Sequence, residues 1–184
     1  MECIILGELI DISVGVVIIG TFFSKRFPVM HHSPFSLVIG ILFVVDSSLE
    51  IILNKPVGIL EFTGALILLI LLEKFISENT GTKFNHFSPL LPLILTILVI
   101  LIERDNRFFH FGTLMILSVM ALRTGQGARV IGWYYRDVFF ISSLFGLFGA
   151  LSFLFNFPMG SDFFYFGGVL LYILTIGEIL RISH

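Results

Sequence analysis

The sequence predicts an all-α, polytopic transmembrane helical bundle, and three observations predict it. The chain is 57% hydrophobic and only 13% charged, where a soluble domain is roughly one quarter charged. Its mean hydropathy is +1.03. Apolar runs such as Ile59 to Leu72 and Leu90 to Ile102 recur between short polar clusters at the spacing of helical spans. They lack the strict alternation that tilted barrel strands require.

Apolar windows set against polar breaks predict spans near residues 3–23, 35–54, 58–73, 88–103, 108–122, 138–156 and 163–182. Seven is the working count and six the alternative. Met1 leads into the first span without a basic region or a small-residue cleavage site, so this segment reads as a retained span. The third, fourth and fifth windows are short, at roughly 24 Å of helix, and need either extension or shielding by neighbours. Pro28 and Pro34 bracket the first break, Pro56 and Gly58 make the second, and Asn79 with Gly81 opens the third. With loops this short and no convincing repeat, residues 1–184 read as one transmembrane domain.

Orientation follows from the basic residues, because cytoplasmic loops retain positive charge. Of the 11 Lys and Arg, one face takes Lys25, Arg26, Lys74, Lys83, Arg123, Arg129, Arg136 and Arg181, leaving Lys55, Arg104 and Arg107 for the other. The richer face is expected to be cytoplasmic, which puts the N-terminus outside and the C-terminus inside. A multi-pass protein of the cell membrane is therefore expected. Trp133, Tyr134, Tyr135 and the aromatic run Phe163 to Phe166 suit the headgroup zone.

Five carboxylates interrupt the first three spans: Glu8 and Asp11, then Asp46 and Glu50, then Glu61, with no Lys or Arg inside those spans. Helical geometry puts each of the first two pairs on one face. Counting from the outer boundary, Glu8, Glu50 and Glu61 form a layer about 5–8 Å deep, and Asp11 with Asp46 a second at about 12 Å. A charge at a helix centre costs about 2.5 to 3.5 kcal/mol on insertion scales, so the acids are expected to face inward. The pattern points to a cation or proton site, with Asp11 and Asp46 as the deeper pair and Ser47, Ser48 and Thr63 as neutral oxygen donors. A plainer alternative has the three glutamates reaching water, with only the two aspartates buried as neutral acids.

The stretch from Arg123 to Asp137 reads as a glycine-containing loop, in which Arg123, Arg129, Trp133 and Arg136 could grip lipid phosphates or a partner. Gly125 and Gly127 lack the third glycine of a nucleotide-binding turn. No cofactor is implied. His31 and His32 are adjacent, so they form no helical metal pair; joined by His86 they could make at most a weak site, and the metal question stays open. Glu178 and Arg181 stand one turn apart as an ion pair ending the last span, and His110 belongs to the outer side.

No serine sits in a nucleophile elbow, no helix carries His-Glu-x-x-His, and no spaced Asp motif would hold magnesium, so the sequence argues against an enzyme without deciding the matter. A net charge of −2 without a basic tract excludes nucleic acid, and a single cysteine, Cys3, excludes an internal disulfide. The bilayer is the expected partner, with other membrane subunits or a homo-oligomer beside it. Span one, from Gly7-x-x-x-Asp11 to Lys25-Arg26, resembles an acid-bearing helix in membrane subunits of complex I-related hydrogenases. That likeness covers one helix of the seven and implies no residue roles. The functional expectation is a channel or transporter that handles a cation or proton. Its alternatives are a non-catalytic subunit of a larger, ion-translocating complex and a sensory membrane domain.

Overall fold

The computed structural model describes the backbone of residues 2–23, 34–105, 107–131 and 135–182, and side chains for 8–23, 34–105, 107–129, 135–157, 160–161 and 163–176. Among the described residues the chain forms seven helices: α1 (Glu2–Phe23), α2 (Pro34–Leu53), α3 (Ile59–Thr80), α4 (Phe87–Glu103), α5 (Phe108–Ile131), α6 (Arg136–Leu154) and α7 (Pro158–Ile182). Three of these contain stretches long and apolar enough to cross a membrane, namely Pro34–Leu53, Phe108–Arg129 and Arg136–Leu154. Shorter apolar stretches occupy Phe87–Glu103 and Phe163–Ile176.

Local chemistry sets the helix ends. Pro34 and Pro158 each open a helix, where the missing N–H costs nothing and the fixed φ is already helical. Gly81, at φ 66°, ends α3 in the left-handed conformation. Arg104, at φ 53°, ends α4 and donates its backbone N–H to Ile100 O.

Three expected boundaries are corrected, the simplest being the start of α7, which lies at Pro158 and not near 163. Helix α3 does not stop near residue 73 but runs 22 residues to Thr80, because Glu73 is buried against another helix and Lys74 pairs with Glu78 one turn on. Helix α5 does not stop near 122 but runs 24 residues to Ile131. The segment read as a flexible loop is thus helical through Gly125 and Gly127, which serve close packing: a Cβ on Gly125 would stand 3.0 Å from Phe139 Cβ, and one on Gly127 3.0 Å from Ile76.

The helices close on one another in the order α1, α2, α3, α5, α6, α7, with α7 returning to α1 and α4 packed outside against α3 and α5. Helices α1 and α2 meet backbone to backbone: a Cβ on Gly40 would lie 2.6 Å from Gly15 O, and one on Gly15 2.8 Å from Gly40 O. Small residues at such a crossing are how helices associate where lipid removes the hydrophobic drive. One apolar cluster joins Ile18, Ile39, Phe43, Phe62, Leu69, Ile116 and Met120 across α1, α2, α3 and α5; another joins Phe111, Leu114, Ala150 and Tyr165.

Polarity is distributed against the habit of soluble proteins. Val16, Ile52, Ile94, Leu98, Leu101 and Leu174 are exposed, while Glu8, Asp11, Asp46, Glu50, Glu61 and Glu73 are buried. An apolar exterior of this extent around a polar interior matches a lipid surround.

Candidate functional site

The acids gather at the end of the bundle formed by the start of α1, the α2–α3 turn, the start of α5 and the α6–α7 turn. A cavity of about 740 Å³ opens there, and its walls include Glu8, Asp11, Glu50, Glu61, His110 and Tyr165. The acids face inward as expected, and the plainer alternative of glutamates standing free in water does not fit, since Glu8 is 6%, Glu50 3% and Glu61 2% exposed.

His110, in the first turn of α5, is the centre of the arrangement. Its Nδ1 lies 3.1 Å from Glu61 Oε2 and its Nε2 3.1 Å from Glu50 Oε1. A carboxylate only accepts and a neutral imidazole has one N–H, so two such bonds require two protons along the line Glu61, His110, Glu50. Either the imidazole is cationic or one acid is protonated. The line therefore stores one proton more than a neutral histidine between two carboxylates.

Glu50 is further fixed by the turn it precedes. The Val57 and Gly58 N–H groups donate to its Oε1 at 2.6 and 2.7 Å. Gly58 adopts φ 62°, and a Cβ there would come within 3.0 Å of Phe109 Cβ, so the turn needs glycine on both counts. Asp46 reaches the same helix start, its Oδ1 accepting from Leu60 N–H at 3.2 Å. An acid at a helix N-terminus satisfies an otherwise orphaned donor and meets the positive end of the helix dipole.

The proposed deeper pair is not joined. Tyr165 OH donates to Asp11 Oδ1 across the α1–α7 contact, and no hydrogen bond links Asp11 to Asp46 among the described residues. Asp46, Ser47, Ser48 and Thr63 lie outside the cavity wall. The Ser48 hydroxyl is spent on Val44 O and that of Thr63 on Ile59 O. Three buried atoms have no hydrogen-bond partner among the described residues: Glu8 Oε2, Asp46 Oδ2 and Ser47 Oγ.

Among the described residues, the lysine and arginine on the cavity wall stand at its rim. Lys55 and Arg107 line the mouth and are exposed. Arg107 is already engaged: its backbone N–H, at 2.9 Å, and then its side chain, at 2.6 Å, hold the Asp105 carboxyl below its ordinary value.

The opposite end is neutralised internally. Arg123 Nε and Nη2 grip Glu73 Oε1 and Oε2 at 2.5 and 3.0 Å, and Nη1 bonds Gln126. Of the residues expected to grip lipid or a partner, Arg123 is thus committed inside the chain. Arg136 pairs with its neighbour Asp137, and Arg129 is exposed. Trp133, His31 and His32 lie outside the described residues, as do the side chains of Glu178 and Arg181. His86 is exposed at the start of α4.

These features define a helical bundle of membrane character with a buried acid–imidazole–phenol cluster opening at one end. Comparison with protein-family models, with curated proteins and with solved structures gives no match. The functional reading therefore rests on the site itself.

Proposed function

We propose that this chain is a seven-span protein of the cell membrane, N-terminus outside, whose outer cavity takes up a proton or a cation through Glu8, Asp11, Glu50 and Glu61, as a channel or carrier does. The observation that carries this reading is a charge imbalance. Four buried cavity carboxyls, with Glu103 and Asp105 also on the wall, face one imidazole; of the two cations on the wall, Arg107 is already paired with Asp105 and Lys55 is exposed at the mouth. Acids held out of water in excess of their counter-charges either keep protons or bind a cation. Both are exchangeable through a cavity that opens between exposed loop residues.

The acids also find their partners, His110 and Tyr165, within the same chain. That favours a self-contained site over one completed by a neighbouring subunit. The alternation of helix directions supports the orientation, because the described members of the richer face, Lys74, Lys83, Arg123, Arg129 and Arg136, then fall at the end away from the cavity.

The test is flux across vesicles containing the purified chain, with an interior pH dye and, separately, dyes for metal cations. Wild type should show saturable uptake of a proton or a cation. Asp11→Asn and Glu8→Gln should each lower it at least tenfold. Flux absent from wild type, or unchanged in both variants, would overturn the proposal.

A further inference from the structure

We propose that the cavity binds one divalent first-row transition-metal ion of the Zn²⁺ type, through Glu8, Glu50 and His110, with Glu61 positioning the imidazole. This rests on the cavity being the functional site and names its ligand more narrowly than proton or cation.

Four observations carry it. First, one ligand atom from each of Glu8, Glu50 and His110 lies within 4.8 Å of the others. Ligands at about 2.0–2.2 Å in a tetrahedron stand roughly 3.4 Å apart, so small side-chain motions close the set on an ion. His110 Nε2 and Glu50 Oε1, at 3.1 Å, already have that separation.

Second, Glu8 Oε2 receives no hydrogen bond from an N–H or hydroxyl group among the described residues, although Glu8 is only 6% exposed and lines the cavity; the side chain it meets is the Glu50 carboxyl, itself an acid. A buried oxygen without a donor is costly, and a cation placed between it and His110 satisfies it.

Third, Glu61 stands where a metal-binding histidine needs its outer partner. With Nδ1–H donating to Glu61 Oε2 at 3.1 Å, the other nitrogen presents a lone pair toward Glu8 and Glu50. Carboxylate–histidine–metal chains fix the tautomer and raise ligand basicity in this way. Glu50 is likewise held, by the Val57 and Gly58 N–H groups.

Fourth, the two glutamates cancel the charge of a dication, which suits a site out of water. The imidazole nitrogen selects against Ca²⁺ and Mg²⁺, whose ligands are oxygens. The open cavity leaves a coordination position to water, so the ion is exchangeable.

Binding must expel the proton between Nε2 and Glu50, because a ligating imidazole nitrogen carries none. The ion enters, Nε2 and the two carboxylates become its ligands, and that proton, together with the one a Glu8–Glu50 carboxyl pair shares, passes to solvent through the cavity.

The test uses tag-free, chelator-stripped full-length chain in detergent, titrated with Co²⁺ and then displaced with Zn²⁺. Wild type should bind one equivalent, with visible d–d bands, imidazole scattering in the X-ray absorption spectrum and proton release. Glu61→Gln should weaken binding by about 10–100-fold, the usual effect of losing an outer-shell partner. Glu8→Gln should weaken it at least as much, and His110→Gln should abolish it. Asp46→Asn, outside the cavity wall, should leave it unchanged. No saturable binding by wild type, no imidazole in the absorption spectrum, or displacement of Co²⁺ by equimolar Ca²⁺ would each overturn the inference. Because the wild-type spectrum needs no variant, a substitution that fails to fold does not spare it. Acid-dependent proton flux persisting in chelator-treated vesicles alongside absent Co²⁺ binding would remove the metal and leave the broader function standing; Co²⁺ bound without any flux would do the reverse.

Discussion

Replacing Arg123 by methionine isolates the energetics of the end of the bundle away from the cavity. Methionine keeps the apolar stem that packs between α3 and α5 and deletes the guanidinium. Two hydrogen bonds to Glu73 and one to Gln126 are lost. What matters is the group left behind, since Glu73 is 1% exposed. Its carboxylate would have to stay charged and unpaired or take up a proton, and removing one partner of a buried pair costs about 3–5 kcal/mol. Replacing both partners by apolar residues, as in Glu73→Leu with Arg123→Met, removes the stranded charge and should cost little or be neutral. A double-mutant cycle by equilibrium unfolding in mixed detergent and SDS micelles should therefore return a coupling of about 3–5 kcal/mol, far above the 0.2–1 kcal/mol of an exposed pair. If Arg123→Met costs under about 1 kcal/mol, or the two substitutions simply add, the pair is solvated and the account of why α3 runs past Glu73 is wrong.

Gly40→Val would drive a branched side chain into Gly15 O, 2.6 Å from the built Cβ; α1 must then move from α2, at a cost of about 1–3 kcal/mol or more by the same unfolding assay. Gly20→Ala, where no described residue lies within 4 Å, is the control and should not destabilise. In a Cys3→Ser background, cysteines at Asn156 and Lys55 should react with an impermeant thiol reagent from outside intact cells, and one at Lys83 only after permeabilisation. The reverse pattern would invert the orientation and place the cavity on the cytoplasmic side.

Helix number was legible because each polar break fell between apolar runs; Pro34 opens a helix, and Gly58 and Gly81 take the left-handed conformation, for the physical reasons their residue types suggest. The ends of α3 and α5 were not legible. A charged or glycine-rich stretch looks like a loop unless one knows that Glu73 and Arg123 meet, or that Gly125 faces Phe139, and those are tertiary facts. Depth alone grouped Glu8, Glu50 and Glu61; it also paired Asp11 with Asp46 in a deeper layer, of which only Asp11 lines the cavity. The same depth count should have brought in His110, two residues into α5 as Glu61 is two residues into α3. Tyr165 escaped because α7 was started at residue 163; with Pro158 as its first residue, Tyr165 is about 10 Å into the helix, level with Asp11.

Asp46 shows why a buried acid is not by itself a functional group. It occupies the same helix face as Glu50 and is at least as buried, yet its Oδ1 is bound to the Leu60 N–H at the start of α3 and it lies behind the cavity wall. Glu50 also binds backbone N–H groups of the turn, but it keeps a face toward His110 and Glu8. The difference is about four residues of helix, which places one carboxyl under the first turn of α3 and the other beside its open end. Burial explains why both acids need a partner; access to the cavity decides which of them can exchange one. By that criterion Glu8, with a buried oxygen unpaired among the described residues and a position on the cavity wall, is the acid best placed to receive an ion, and Asp46 is held for architecture.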